Sequence, residues 1–208
     1  MDTPTMTHEQ YTPNAICQSL GMGGFDEPGL SSPTLRVLLK PSFSPEVCIT
    51  LSGADHILSV VAATEMICQQ LHPSAMATYF ERTSIPATIA TQMIADFRAV
   101  LTANRDEEGR MACIADGMPC VLMLATEAGT DRVECHAFLS VEEAFISSLI
   151  RVAWESCHNA GVRNTLADCG RYVGLKLARE IVTPMPKLFR IAVVGTPDAK
   201  ADLLRQCQ

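Results

Sequence analysis

Basic excess is the first thing this sequence lacks. Sixteen Lys and Arg face 23 Asp and Glu, a formal net charge of −7 at pH 7, with a pI near 5.2. A general nucleic-acid binder needs a basic surface to neutralise phosphates, so direct nucleic-acid binding is not expected. Charge of either sign is sparse at 19%, and aromatics are only 5%, with a single tryptophan. Against a hydrophobic fraction of 48%, that sparseness excludes a disordered chain. Long apolar runs are missing too. None reaches the ~18–20 residues of a membrane span. The longest candidate, Ile57 to Cys68, is broken by Ser59, Thr64 and Glu65. Met1 to Gln18 has neither a Lys or Arg nor an apolar stretch, so it does not read as a secretory signal. A cytoplasmic protein with no membrane association is expected.

Catalytic signatures are likewise absent. No G-x-S-x-G elbow, S-x-x-K or H-E-x-x-H occurs. The glycine-rich run Gly21-Met22-Gly23-Gly24 lacks both the G-x-G-x-x-G spacing and a G-K-[ST] ending, so it reads as a loop and not as a phosphate cradle. An even cysteine count is missing as well: there are nine, spread along the chain and set in apolar runs such as Val47-Cys48-Ile49. Buried reduced thiols of a reducing compartment fit that pattern better than a disulfide scaffold. Paired metal-ligand spacing is not found. Cys135-His136 are neighbours on an expected strand and point to opposite faces, so no metal site and no cofactor are expected.

What is present suggests one domain of 33–208 behind an irregular N-terminal leader of 1–32. Pro28-Gly29 and Ser31-Ser32-Pro33 punctuate the leader. Thr34–Lys40, Glu46–Leu51 and His56–Ala62 are short, apolar and separated by turns, which predicts an antiparallel meander. Ser84 is the expected N-cap of a helix carrying Ile85, Ile89, Met93, Phe97 and Leu101 on one face. It ends in the charged loop Asn104–Arg110. Pro119–Ala125 and Asp131–Phe138 read as a strand pair. Ser140 with Glu143 has the form of a capping box opening a helix to about Asn159. A further helix is expected over Thr165–Val182 with Asn164 as its cap, then a strand over Leu188–Val194 and a short last helix from Thr196. Strands and helices in separate runs predict an α+β fold. Its sheet is mainly antiparallel, with about five to six strands and helices packed on one face.

Two segments carry a resemblance. Leu35–Ile49, with its Lys40-Pro41-Ser42-Phe43-Ser44-Pro45 turn, resembles the opening strand pair of a loose group of small uncharacterised bacterial proteins. Asp116-Gly117, Cys120–Leu124, Gly129, His136 and Phe138 are similar to a later hairpin of the same group. The tryptophans of that pattern are Leu39 and Pro119 or Cys120 here. Several such proteins look like immunity partners of secreted antibacterial toxins. The resemblance implies a cytosolic binding protein that neutralises a cognate toxin by occluding its active site. Residues 105–163 hold 5 basic and 10 acidic side chains, and an acidic surface suits a basic toxin cleft. The candidate partner-binding residues are Asp106, Glu107, Glu108 and Asp116, with Trp154 as an aromatic anchor. Two other classes stay open: an enzyme with a cysteine/histidine or carboxylate site, and a non-catalytic adaptor subunit of a larger assembly.

Overall fold

The computed structural model describes residues 11–27, 33–69, 76–105, 117–135 and 140–180. Six strands form one antiparallel sheet: β1 (Thr34–Leu39), β2 (Val47–Ser52), β3 (Ile57–Ala63), β4 (Thr78–Ser84), β5 (Cys120–Thr126) and β6 (Gly129–Cys135). Their spatial order is β4-β3-β2-β1-β5-β6. The first four make a meander, and the β5–β6 hairpin adds on the far side of β1. The structure is α+β. All six residues of β1 are buried, because β1 has a strand on each side and packing on both faces.

The two-residue period of the strands sorts side chains between those faces. One face carries Leu35, Val37, Leu39, Ile49, Leu51, Leu58, Val60, Leu122 and Leu124. Three helices cover it: α2 (Ala87–Arg105), α3 (Ser140–Ser156) and α4 (Ala160–Arg171). Met93, Phe97 and Val100 of α2 meet Phe145 and Leu149 of α3 and Leu166 of α4 in this core. The Phe97 and Phe145 rings lie 5.7 Å apart, tilted by 46°, within the favourable aromatic range.

Glu81 of β4 fastens the turn between α3 and α4. Its carboxylate accepts the backbone N–H of His158 at 2.7 Å and of Asn159 at 2.6 Å. A Cβ on Gly161 would stand 2.4 Å from the Tyr79 ring, so only glycine lets α4 approach β4 this closely.

Several elements differ from the sequence expectation. Residues 1–32 are not irregular throughout. Thr12 caps a helix, α1 (Pro13–Ser19), by accepting from Ala15 N–H, with Pro13 in its first turn, where the missing N–H costs nothing. Beyond α1, Leu20 and Phe25 are buried on the sheet face opposite the three long helices. Helical packing is therefore not confined to one face. Strand β4 was not expected, since Thr78–Ser84 is polar and half exposed. Ser84 ends that strand, paired with Ile57, and α2 begins at Ala87. The last described helix is capped by Asn159, whose Oδ1 accepts from Gly161 and Val162, and not by Asn164. It stops at Arg171, and Leu175 N–H closes back on Gly170 O at 2.8 Å. The expected strand at 188–194 and the helix after it lie outside the described residues.

Candidate functional site

The described residues cover the second face of the sheet only in part, and that half-covering makes a cleft. Ile16, Cys17, Leu20 and Phe25 pack with Leu38, Cys48, Val61, Val121 and Met123 into a small second core. Past α1 the chain turns at Gly21, which takes φ +72°, a left-handed conformation that glycine adopts without strain. Residues 20–27 then run back over the sheet as a strap.

Side chains hold this strap because its backbone has no strand partner. Asn14 Oδ1 accepts the N–H of Phe25 at 2.6 Å. Arg36 Nη1 donates to Gly24 O and Phe25 O, both at 2.9 Å. Arg132 lies over the Phe25 ring, 5.7 Å from its centroid, and pairs with Asp26 at 3.1 Å. Glu46 is fully buried beside β2. It accepts the Tyr11 hydroxyl at 2.5 Å and Ile67 N–H at 2.8 Å. One carboxylate thereby ties the entry to α1 to a 3-10 turn at Ile67–Gln69. Burial and the Glu46 charge both push the Tyr11 hydroxyl well above its ordinary pKa, so it stays a donor.

Between the strap and strands β1 to β4 is a cleft of about 470 Å³. Its floor is a polar row running directly across three strands, Arg36 opposite Thr50 and Thr50 opposite Ser59. Arg82 stands opposite Ser59 on the edge strand but does not line the cleft. Thr78 and Phe80 of β4 form one wall, and the strap with Glu27 forms the other. Phe80 is 57% exposed. Arg36 is 4% exposed and its Nε has no hydrogen-bond partner. Among the described residues no carboxylate pairs with it. Its charge also reaches the buried thiols beneath α1. Hydrogen bonding with Cys48 pushes the Cys17 thiol down, burial opposes that, and the Arg36 charge adds to the lowering. Cys48 is pushed up by the same bond and by burial.

The expected site residues fare differently. Asp106, Glu107, Glu108 and Asp116 lie outside the described residues. Trp154 is half-buried near the end of α3 and packs against the main core. The Arg163 guanidinium of α4 sits 4.0 Å from the centre of its ring, a cation–π contact. Arg163 also pairs with Glu180, and Asn164 exchanges two hydrogen bonds with the Glu180 backbone. Trp154 is thus the base of a stack that anchors the segment after α4. Carboxylates do gather elsewhere. Glu127, Asp131 and Glu134 are exposed along the β5–β6 hairpin, where Arg132 joins Glu134 at 2.5 Å and Asp26 at 3.1 Å.

Sequence reasoning missed Arg36, Tyr11 and Glu46. The available signal for Arg36 was a lone charge inside an apolar strand, Thr34-Leu35-Arg36-Val37-Leu38-Leu39. Six of the seven described cysteines are buried. Burial pushes Cys120, Cys135, Cys157 and Cys169 up, Cys157 to about 12. A neutral buried thiol is a poor nucleophile. Among the described residues no three His, Cys, Asp or Glu converge as a metal site would need. No described helix is long and apolar enough to cross a membrane. No protein-family model, curated protein or solved structure matches the chain.

Proposed function

We propose that this chain is a cytosolic binding protein that neutralises a basic protein partner, as an immunity protein does when it occludes the active site of its cognate antibacterial toxin. The observation that carries the reading is the β5–β6 hairpin, where Glu127, Asp131 and Glu134 are exposed and Arg132 is paired with Glu134 and Asp26. Carboxylates on an edge strand discourage strand addition by other chains. They also steer a partner that presents lysines and arginines, and fix its register. The net charge of −7 acts in the same direction at longer range. Burial raises the thiols of Cys120, Cys135, Cys157 and Cys169, which makes those four poor nucleophiles. The resemblance of Leu35–Ile49 and of the Asp116-Gly117 hairpin to a loose group of small bacterial proteins, several of which look like immunity partners of toxins, adds the partner class.

Co-expression with the toxic product of a neighbouring gene tests the reading. The chain should restore growth, and the triple variant E127K/D131K/E134K should lose protection while remaining folded. The association rate should fall steeply with added salt. Absence of protection by the native chain, or full protection by the charge-reversed triple, overturns the proposal.

A further inference from the structure

We propose that the cleft beneath the strap binds a free α-amino acid with an apolar or aromatic side chain. The carboxylate seats against Arg36, the ammonium faces Glu27, and the side chain lies on Phe80. This inference does not rest on the partner reading above.

The starting point is Arg36. A buried cation is costly unless an anion accompanies it. Here the guanidinium gives Nη1 to two neutral backbone carbonyls, and among the described residues no carboxylate is in salt-bridge contact with it. Its Nε is unpartnered, and the residue lines the cleft while being 4% exposed. Arginine offers carboxylates charged N–H donors; Nε itself is enclosed, so a carboxylate seats on the part of the guanidinium that lines the cleft. Ser59 and Thr78 line the same cleft, and their hydroxyls can donate to the remaining lone pairs.

Glu27 narrows the ligand class. It lines the same cleft from the strap, opposite in charge to Arg36. A lining with one cation in its floor and one anion on its wall fits a molecule that carries both charges, and a carboxylate near the site disfavours phosphates and other polyanions. Phe80, exposed yet lining the cleft, supplies the apolar surface that a third substituent needs. The volume, about 470 Å³, lies in the usual range for small-molecule sites. An α-amino acid meets these three requirements in one small ligand.

Calorimetric titration of the full chain tests this with three probes: L-phenylalanine, 3-phenylpropionate, which lacks the ammonium, and phenethylamine, which lacks the carboxylate. L-Phenylalanine should bind, and each truncated analogue should bind about tenfold more weakly, since each leaves one charged hydrogen bond unmade. Glu27→Gln should weaken L-phenylalanine by a similar factor and leave 3-phenylpropionate unchanged. That variant changes an exposed side chain, so it keeps the test independent of folding. Arg36→Lys should weaken both carboxylates, with retained near-ultraviolet circular dichroism showing that the strap is still seated. Phe80→Ala should weaken L-phenylalanine more than L-alanine. No heat from L-phenylalanine at millimolar concentration overturns the proposal. So does equal affinity for the acid with and without its ammonium, or indifference of L-phenylalanine binding to Glu27→Gln.

Discussion

The two faces of this sheet are built by different means. One is covered by three helices of 19, 17 and 12 residues, and its core runs from Leu35 to Leu175 through buried aliphatic and aromatic side chains. Among the described residues the other is covered by a seven-residue helix, a strap and one 3-10 turn, with eleven buried residues in its core. On the first face, apolar area does most of the holding, at about 25 cal/mol per Å² removed from water. The second face has less of that area and irregular backbone to satisfy. Glu46, Asn14 and Arg36 supply acceptors and donors to N–H and C=O groups that no ladder or helix reaches. The lesson is that a thin layer can be kept in place by a few buried polar side chains, and that the same economy leaves room for a cleft.

Three measurements break or sharpen the contrast. The largest effect is expected on the helical face. Phe97→Ala removes a fully buried ring packed on Phe145 and should cost about 3–5 kcal/mol in urea denaturation. Stability close to that of the native chain would mean that the helical layer does not dominate.

On the strap face, Glu46→Gln puts an amide NH₂ among donors that need acceptors, namely Tyr11 hydroxyl and Ile67 N–H. About 1–3 kcal/mol should be lost. Amide exchange should quicken at Ile67 and in α1 while α2 is unaffected. Equal quickening on both faces would show one cooperative unit instead of two layers.

The smallest effect concerns pH. Cys157, ordinarily at 9.0, is pushed up to about 12 by burial and by the Glu81 charge, and Cys120, Cys135 and Cys169 are also raised. All four lie in the helix-covered core. A group whose folded pKa lies above its unfolded one contributes stability that is complete below the unfolded value and declines above it. The melting temperature should therefore fall from about pH 9 towards pH 12. Lys40 opposes this. Burial lowers its ammonium pKa, so its share of stability rises with pH, as does that of the lowered Cys17 thiol, but the raised Tyr11 and Cys48 side with the four thiols. A flat alkaline profile would mean that those thiols meet solvent.

Legibility in the sequence followed the same division. The β1–β3 meander could be read because Val47, Ile49 and Leu51 alternate and turn residues flank each strand. The amphipathic face of α2 was legible at four-residue spacing. Strand β4 was not, because Thr-Tyr-Phe-Glu-Arg-Thr-Ser has the composition of a wet edge and its order comes from pairing with β3. Helix α1 carried a local signature, Thr12 followed by Pro13, yet seven residues hold together only through Ile16 and Cys17 packing on the sheet. Asn159 and Asn164 are equally good caps by residue type. Glu81, 78 positions away, holds the turn at Asn159 and so decides which one starts α4. The cleft was beyond reach for a similar reason: Arg36, Ser59 and Glu27 meet only through strand register and the path of the strap.

The place of β1 in the sheet has a consequence during synthesis. Its partner on one side, β2, follows within a few residues, but its partner on the other, β5, spans Cys120–Thr126. If the meander forms before β5 is made, its β1 edge, Thr34-Leu35-Arg36-Val37-Leu38-Leu39, has no neighbour until then. An apolar strand left open in this way invites pairing with other nascent chains. Arg36 is the one charge on that edge, and a charge on an open edge strand discourages such pairing, so the residue in the floor of the cleft also suits β1 to a delayed partner.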